Sequence, residues 1–184
     1  MSGQPDLSRT VVVGTSCSGK TMFARQLAAR LRAPHIELDA LHWLPHWQQR
    51  PPGEFLALVG RAAAAPAWVA DGNYSRARPL LWQRASAVVW LNYPFPIVLA
   101  RALRRTLVRA ATREELWSGN RESLRLAFLS RDSILWWVLT TYGRRRREYR
   151  ALFDQQPWPH LALIEIAHPR GAADFLATLP DPSE

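Results

Sequence analysis

Residues 14–21 read GTSCSGKT, which fits the spacing G-x-x-x-x-G-K-[ST], and they follow directly on the apolar run TVVV at 10–13. The spacing has a chemical purpose. Glycines let the backbone curl so that successive N–H groups point inward at an anion, and a helix that starts at once adds its positive end. Gly14, Thr15, Ser16, Cys17, Ser18, Gly19, Lys20, Thr21 and the next residue, Met22, are therefore the expected cradle for the phosphates of a nucleotide such as ATP. In such a cradle Lys20 reaches the terminal phosphates and the Thr21 hydroxyl faces Mg²⁺. Among the 24 basic residues Lys20 is the only lysine; all others are arginine. A compact ammonium on a flexible stem is not interchangeable with a planar guanidinium. A glycine turn that binds nothing is the competing reading, and the strand-like run before it and helix-like run after it weigh against that.

A magnesium ion also needs a carboxylate within reach, directly or through water. Asp39 follows HIEL at 35–38, and Asp71 follows AWVA at 67–70, so both are expected at strand ends beside the loop. Asp71 is paired with Thr21 as the candidate metal site. Asp39 could serve there too, or could orient or deprotonate an acceptor hydroxyl; a turn or helix-cap role is the bland alternative for either. Gly72 and Asn73 continue the strand-end loop and join Asp39 and Asp71 as candidate acceptor-binding residues. Arg101 and Arg105, four apart, share one face of the helix expected after Pro94 and Pro96, and Arg104, three after Arg101, is the competitor for that spacing.

These groups need a scaffold, and the apolar pattern supplies one. Strands are expected at 10–13, 35–38, 67–70, 85–91 and 160–166, with helices at 20–32, 54–64, from Pro94 to about Ala110, 131–153 and 171–179. The run ASAVVWL at 85–91 is continuously apolar, as in a strand covered on both faces. Strands alternating with helices imply an α/β fold with a parallel sheet and ligands at the carboxyl ends of its strands. Residues 41–52 (LHWLPHWQQRPP) are too irregular for a regular element, and 112–120 (TREELWSGN) read as a mobile excursion. His42 and His46 stand four apart, but Pro45 between them argues against a metal-binding helix.

A chain of 184 residues suits a single domain, 1–184. One cysteine, Cys17, excludes an internal disulfide framework and fits a reducing cytoplasm, either as a small filler or as a redox-sensitive thiol. No signal peptide or membrane span is expected. The net charge of +9 is concentrated in residues 101–150, where thirteen arginines face five acidic residues. Such a block could bind nucleic acid. It could equally grip phosphate and form a solvated helix face.

Four segments, GTSCSGKT, HIELDALHW at 35–43, WVADGNYSR at 68–76 and ELWSGNRESL at 115–124, make the chain resemble the adenylate-kinase-like P-loop small-molecule kinases. The nearest branch is the bacterial one often labelled adenylate kinase or DNA topology modulation protein. The resemblance implies a nucleoside-monophosphate-kinase-like fold with a five-stranded parallel sheet, helices on both faces and an arginine-rich lid. It further implies phosphoryl transfer from Mg²⁺-ATP to a small-molecule acceptor, a nucleotide or another metabolite. On that pattern Arg76 is the acceptor-binding arginine, one residue later than in adenylate kinases, and Arg101, Arg105 and Arg121 close over the phosphates. Residues 41–65 take the place of the acceptor-binding insertion and 111–130 of the lid. The tryptophans and histidines of 41–52 depart from the nucleotide-acceptor motif. Hydrolysis without an acceptor, and a nucleotide-regulated nucleic-acid-binding protein, are the rival readings.

Overall fold

The computed structural model describes residues 5–112, 117–119 and 134–180. Five strands, β1 (Arg9–Gly14), β2 (His35–Glu37), β3 (Trp68–Asp71), β4 (Ala87–Leu91) and β5 (Ala162–Ile166), form one sheet. Its order is β2-β3-β1-β4-β5, and every pairing is parallel. The helices are α1 (Lys20–Arg30), α2 (Leu38–His42), α3 (Pro52–Ala62), α4 (Arg78–Arg84), α5 (Phe95–Thr112), α6 (Ile134–Gln155) and α7 (Pro169–Ala177). They cover both faces, as the continuous apolar strands require. Side chains alternate along β1: Val11 and Val13 join one core with Val59, Leu81, Trp82 and Tyr149. Val12 joins the other, with Phe23, Leu27, Ala102 and Leu176. Burying each such large aliphatic or phenyl group stabilises the fold by about 1.5–3 kcal/mol.

The connections leaving β1 and β3 run in opposite directions across the sheet, so their carboxyl ends open a crevice between them. Into it run the 14–21 loop and the loop after Asp71. Val12 pairs with Asp71 and Gly14 with Leu91, which sets the loop's first glycine at the level of its neighbours' last residues.

Several elements differ from the sequence expectation. The second strand stops at Glu37, and Asp39 lies in the first turn of α2, because Leu38 turns into the core at 1% exposure. Helix α4 has no counterpart in the apolar pattern; it is seven residues long, with Pro79 in its first turn where the missing N–H does no harm. The irregular 41–52 stretch holds a 3₁₀ turn, Pro45–Trp47, with His46 and Trp47 at φ 60° and 56°. Of the expected lid, the turn Trp117–Gly119 and the end of α5 are described. Arg121 lies outside the described residues.

Gly72 is held at φ 144°, and a Cβ there would stand 2.8 Å from the Leu38 Cβ. Both the backbone angle and the contact forbid a side chain. Gly72→Ala should therefore lower unfolding stability by about 1–3 kcal/mol, read as a fall in the denaturant midpoint. An unchanged midpoint would show that β3 and α2 part more easily than their packing indicates.

Candidate functional site

Helix α1 begins on Gly19, at φ 92°, with no side chain capping its first turn. The N–H groups there are left for an anion. A Cβ on Gly19 would sit 2.9 Å from Nη1 of Arg101, so only glycine lets that guanidinium approach the loop. Arg101 donates to the Ser18 carbonyl and lies 5.1 Å over the Tyr93 ring. Lys20 Nζ donates to the Thr15 carbonyl at 3.0 Å. The Thr15 and Ser18 hydroxyls are buried and have no partner among the described residues. The uncapped α1 N–H groups and the Lys20 ammonium are the donors that a phosphate chain in the loop would take up. The donors present fit such a ligand.

Thr21 Oγ1 donates to Asp71 Oδ2 at 2.8 Å, so the fold brings the two candidate metal residues together. The other oxygen of Asp71, which is 3% exposed, is bonded to His35 Nε2 at 2.7 Å. One hydroxyl and one carboxylate leave most of a magnesium shell to phosphates and water, which is how this ion is ordinarily held. Among the described residues no group of three or more His, Cys, Asp and Glu side chains could hold a metal alone. Burial pushes the Lys20 ammonium below the ordinary lysine range, while Asp71 and Asp39 pull it back up and Arg105 adds to the lowering. All four charges therefore share one field.

Asp39 accepts a hydrogen bond from the Tyr74 hydroxyl at 2.6 Å. Burial raises its carboxyl above the usual range, against the lowering effect of Tyr74 and Lys20. His42 packs on Trp43, Phe55 and Tyr74, with centroids 4.8, 5.3 and 4.7 Å away. Its ring is pushed down by burial and by Arg76, and up by Asp39. Arg76 is exposed at this edge, and Gly72 lies against Leu38. Asn73 reaches the loop instead: its Nδ2 donates to the Gly14 carbonyl at 2.6 Å, and its Oδ1 accepts from Tyr149 at 2.8 Å. Met22 is 69% exposed, and Cys17 stands at φ 63° on the loop. On α5, Arg101 and Arg105 are half-buried on the face toward the loop while Arg104 is exposed, which separates the pair from its competitor.

The turn at 117–119 docks on Glu37 and Trp43. Trp117 Nε1 donates to Glu37 Oε1 at 2.9 Å, and the Ser118 hydroxyl donates to the Trp43 carbonyl at 2.8 Å. Rings of Trp43, Trp47 and Trp117 follow one another at 5.5 and 6.5 Å. His35, Glu37 and Tyr74 lie in quoted segments, but their residue types and spacing do not single them out as site residues. The alternation of β2 puts His35 and Glu37 on one face, and that period was the signal available for His35.

Two solved structures resemble the chain over nearly its whole length. A gluconokinase from Sinorhizobium meliloti 1021 matches with TM-score 0.52 and 20% identity, covering 95% of this chain and 94% of its own. A shikimate kinase from Acinetobacter baumannii in complex with shikimate matches with TM-score 0.52 and 16% identity, covering 95% and 91%. The fold is that of the P-loop kinases. No protein-family description matches the chain, and no curated protein matches it. Among the described residues no helix is long and apolar enough to cross a membrane.

Proposed function

We propose that the chain is an ATP-dependent kinase for a small hydroxyl-bearing acceptor. The observation that carries this reading is a pair of carboxylates with separate partners, Asp71 on Thr21 and Asp39 on Tyr74, both acting on Lys20. A hydrolase needs the first of these alone. The likeness in fold to a gluconokinase and a shikimate kinase supports an acceptor that is a small molecule.

Mg²⁺-ATP would supply the phosphoryl group and neutralise its charge. The 14–21 loop, Lys20 and Met22 would bind and orient the phosphates, while Thr21 and Asp71 would hold the metal, with His35 fixing Asp71. Arg101 and Arg105, with Arg121 from the lid, would offset the charge that develops. Asp39 would hold the acceptor hydroxyl, and Gly72, Asn73 and Arg76 would shape that side. Part of the basic block is engaged within the fold: Arg150 forks onto Glu165 at 2.7 and 2.8 Å, and Arg145 pairs with Glu148 at 3.3 Å. That engagement weighs against a surface built for nucleic acid.

Acceptor screening by ADP release tests the reading, with Lys20→Ala as the blank. One acceptor class should raise ADP release at least about tenfold over the acceptor-free rate, which is 1.4 kcal/mol in the barrier. If none does, while DNA binds tightly at physiological salt with a steep salt slope and Lys20→Ala leaves that binding unchanged, the kinase reading is wrong.

A further inference from the structure

We infer that Tyr74 is the positioning residue of the acceptor-side carboxylate: its hydroxyl fixes one oxygen of Asp39 so that the other is presented to the acceptor hydroxyl. The inference rests on the kinase reading above, and it gives a role to a residue of the WVADGNYSR segment to which the sequence alone assigns none.

Geometry carries it. The Tyr74 hydroxyl donates to Asp39 Oδ1 at 2.6 Å, and among the described residues Oδ2 takes no side-chain hydrogen bond. Tyr74 is not free to swing, because its ring is wedged against His42 and Phe55, with centroids 4.7 and 5.1 Å away. A donor fixed on one oxygen selects the rotation of the whole carboxylate, since the two oxygens and their carbon are coplanar. The free oxygen then has one direction in which to accept.

The charge balance gives the same contact a second role. Asp39 faces Lys20 from α1, Asp71 from β3, Glu37 from β2 and His42 from its own helix, with Arg76 acting on His42. Burial, Asp71 and Glu37 favour the protonated carboxyl; Tyr74 and Lys20 favour the carboxylate. The ionised carboxylate, with both oxygens accepting, is the stronger partner for an acceptor hydroxyl and the form able to take up its proton. The Tyr74 phenol is itself pushed far up by burial and by Asp39, so it stays a donor throughout the working pH range. Removing it leaves Lys20 as the one lowering influence on Asp39 among those acting on it.

Tyr74→Phe keeps the ring and removes the donor. With the acceptor found by ADP release, the acidic limb of kcat/KM should move up by about one pH unit, and kcat near pH 7 should fall roughly tenfold. KM for ATP should stay unchanged, which a loosened fold would not produce. A second arm needs no acceptor. The carboxyl-carbon NMR signal of Asp39, identified by its loss in Asp39→Asn, should titrate about one unit higher in Tyr74→Phe. A shifted titration with no acceptor phosphorylated would overturn the kinase reading alone. An unshifted titration, or superimposable pH profiles, would overturn the assignment to Tyr74 while leaving the kinase reading in place.

Discussion

Lys20→Ala should yield a folded protein that has lost phosphoryl transfer, with kcat reduced at least about 10²–10³-fold, the scale for losing one preorganised charge at a reacting centre. Lys20 is the one group whose ammonium is under the influence of Asp71, Asp39 and Arg105 together. It also makes the loop's own internal contact, to the Thr15 carbonyl at 3.0 Å, a bond it can exchange for a phosphate oxygen. Lys20→Arg should rescue little, because a planar fork cannot take the place of a point charge at the end of a flexible stem. Circular dichroism should stay native, since the fold rests on β1 and the two cores, which the substitution does not reach. Activity within fivefold of the parent would remove Lys20 from the reaction, and with it the reading of the loop.

Asp71→Asn is expected to have the next largest effect. Both carboxylate oxygens are committed, one to Thr21 at 2.8 Å and one to His35 at 2.7 Å. An amide offers one acceptor oxygen and one donor nitrogen, so one of those contacts must invert or break. The negative charge that supports Lys20 is lost in the same step. The Mg²⁺ concentration giving half-maximal activity should rise about 10–100-fold, the range found when an oriented partner of a metal ligand is removed. A magnesium titration of initial rates reads this directly, and a curve unchanged from the parent would place the metal elsewhere.

What could be seen in the sequence, and what could not, divides by distance along the chain. The 14–21 loop, its strand and its helix are contiguous, so spacing alone positions Lys20 against Thr21. Asp71 was legible because a strand end is a local property and a parallel sheet gathers strand ends together. Tyr74 on Asp39 and His35 on Asp71 span 35 and 36 residues. No periodicity reaches that far, and those two bonds orient the two carboxylates. Helix α4 escaped because seven residues beginning beside a proline carry too few turns to show a period. The His46–Trp47 corner escaped for another reason. Two successive non-glycine residues with positive φ stand there in a turn closed by the Leu44 N–H on the Gln48 carbonyl, which propensity cannot anticipate. Arg121 was read from its motif and falls outside the described residues.

The bond from Tyr149 through Asn73 to Gly14 has a mechanical consequence. Helix α6 is fastened to the sheet and the loops at its strand ends at two levels: Tyr142 to the Tyr93 carbonyl, and one level further on Tyr149 to Asn73 and Arg150 to Glu165. Arg101 likewise ties α5 to the Ser18 carbonyl. Loop, sheet and the lower part of α6 therefore behave as one chassis. Any flexing must be taken up before Tyr142, and there the Thr140 and Thr141 hydroxyls bond back to the Trp136 and Trp137 carbonyls, the arrangement by which such side chains bend a helix. Among the described residues of α6 that turn lies outside the tied part of the helix, and the phosphate loop belongs to the frame.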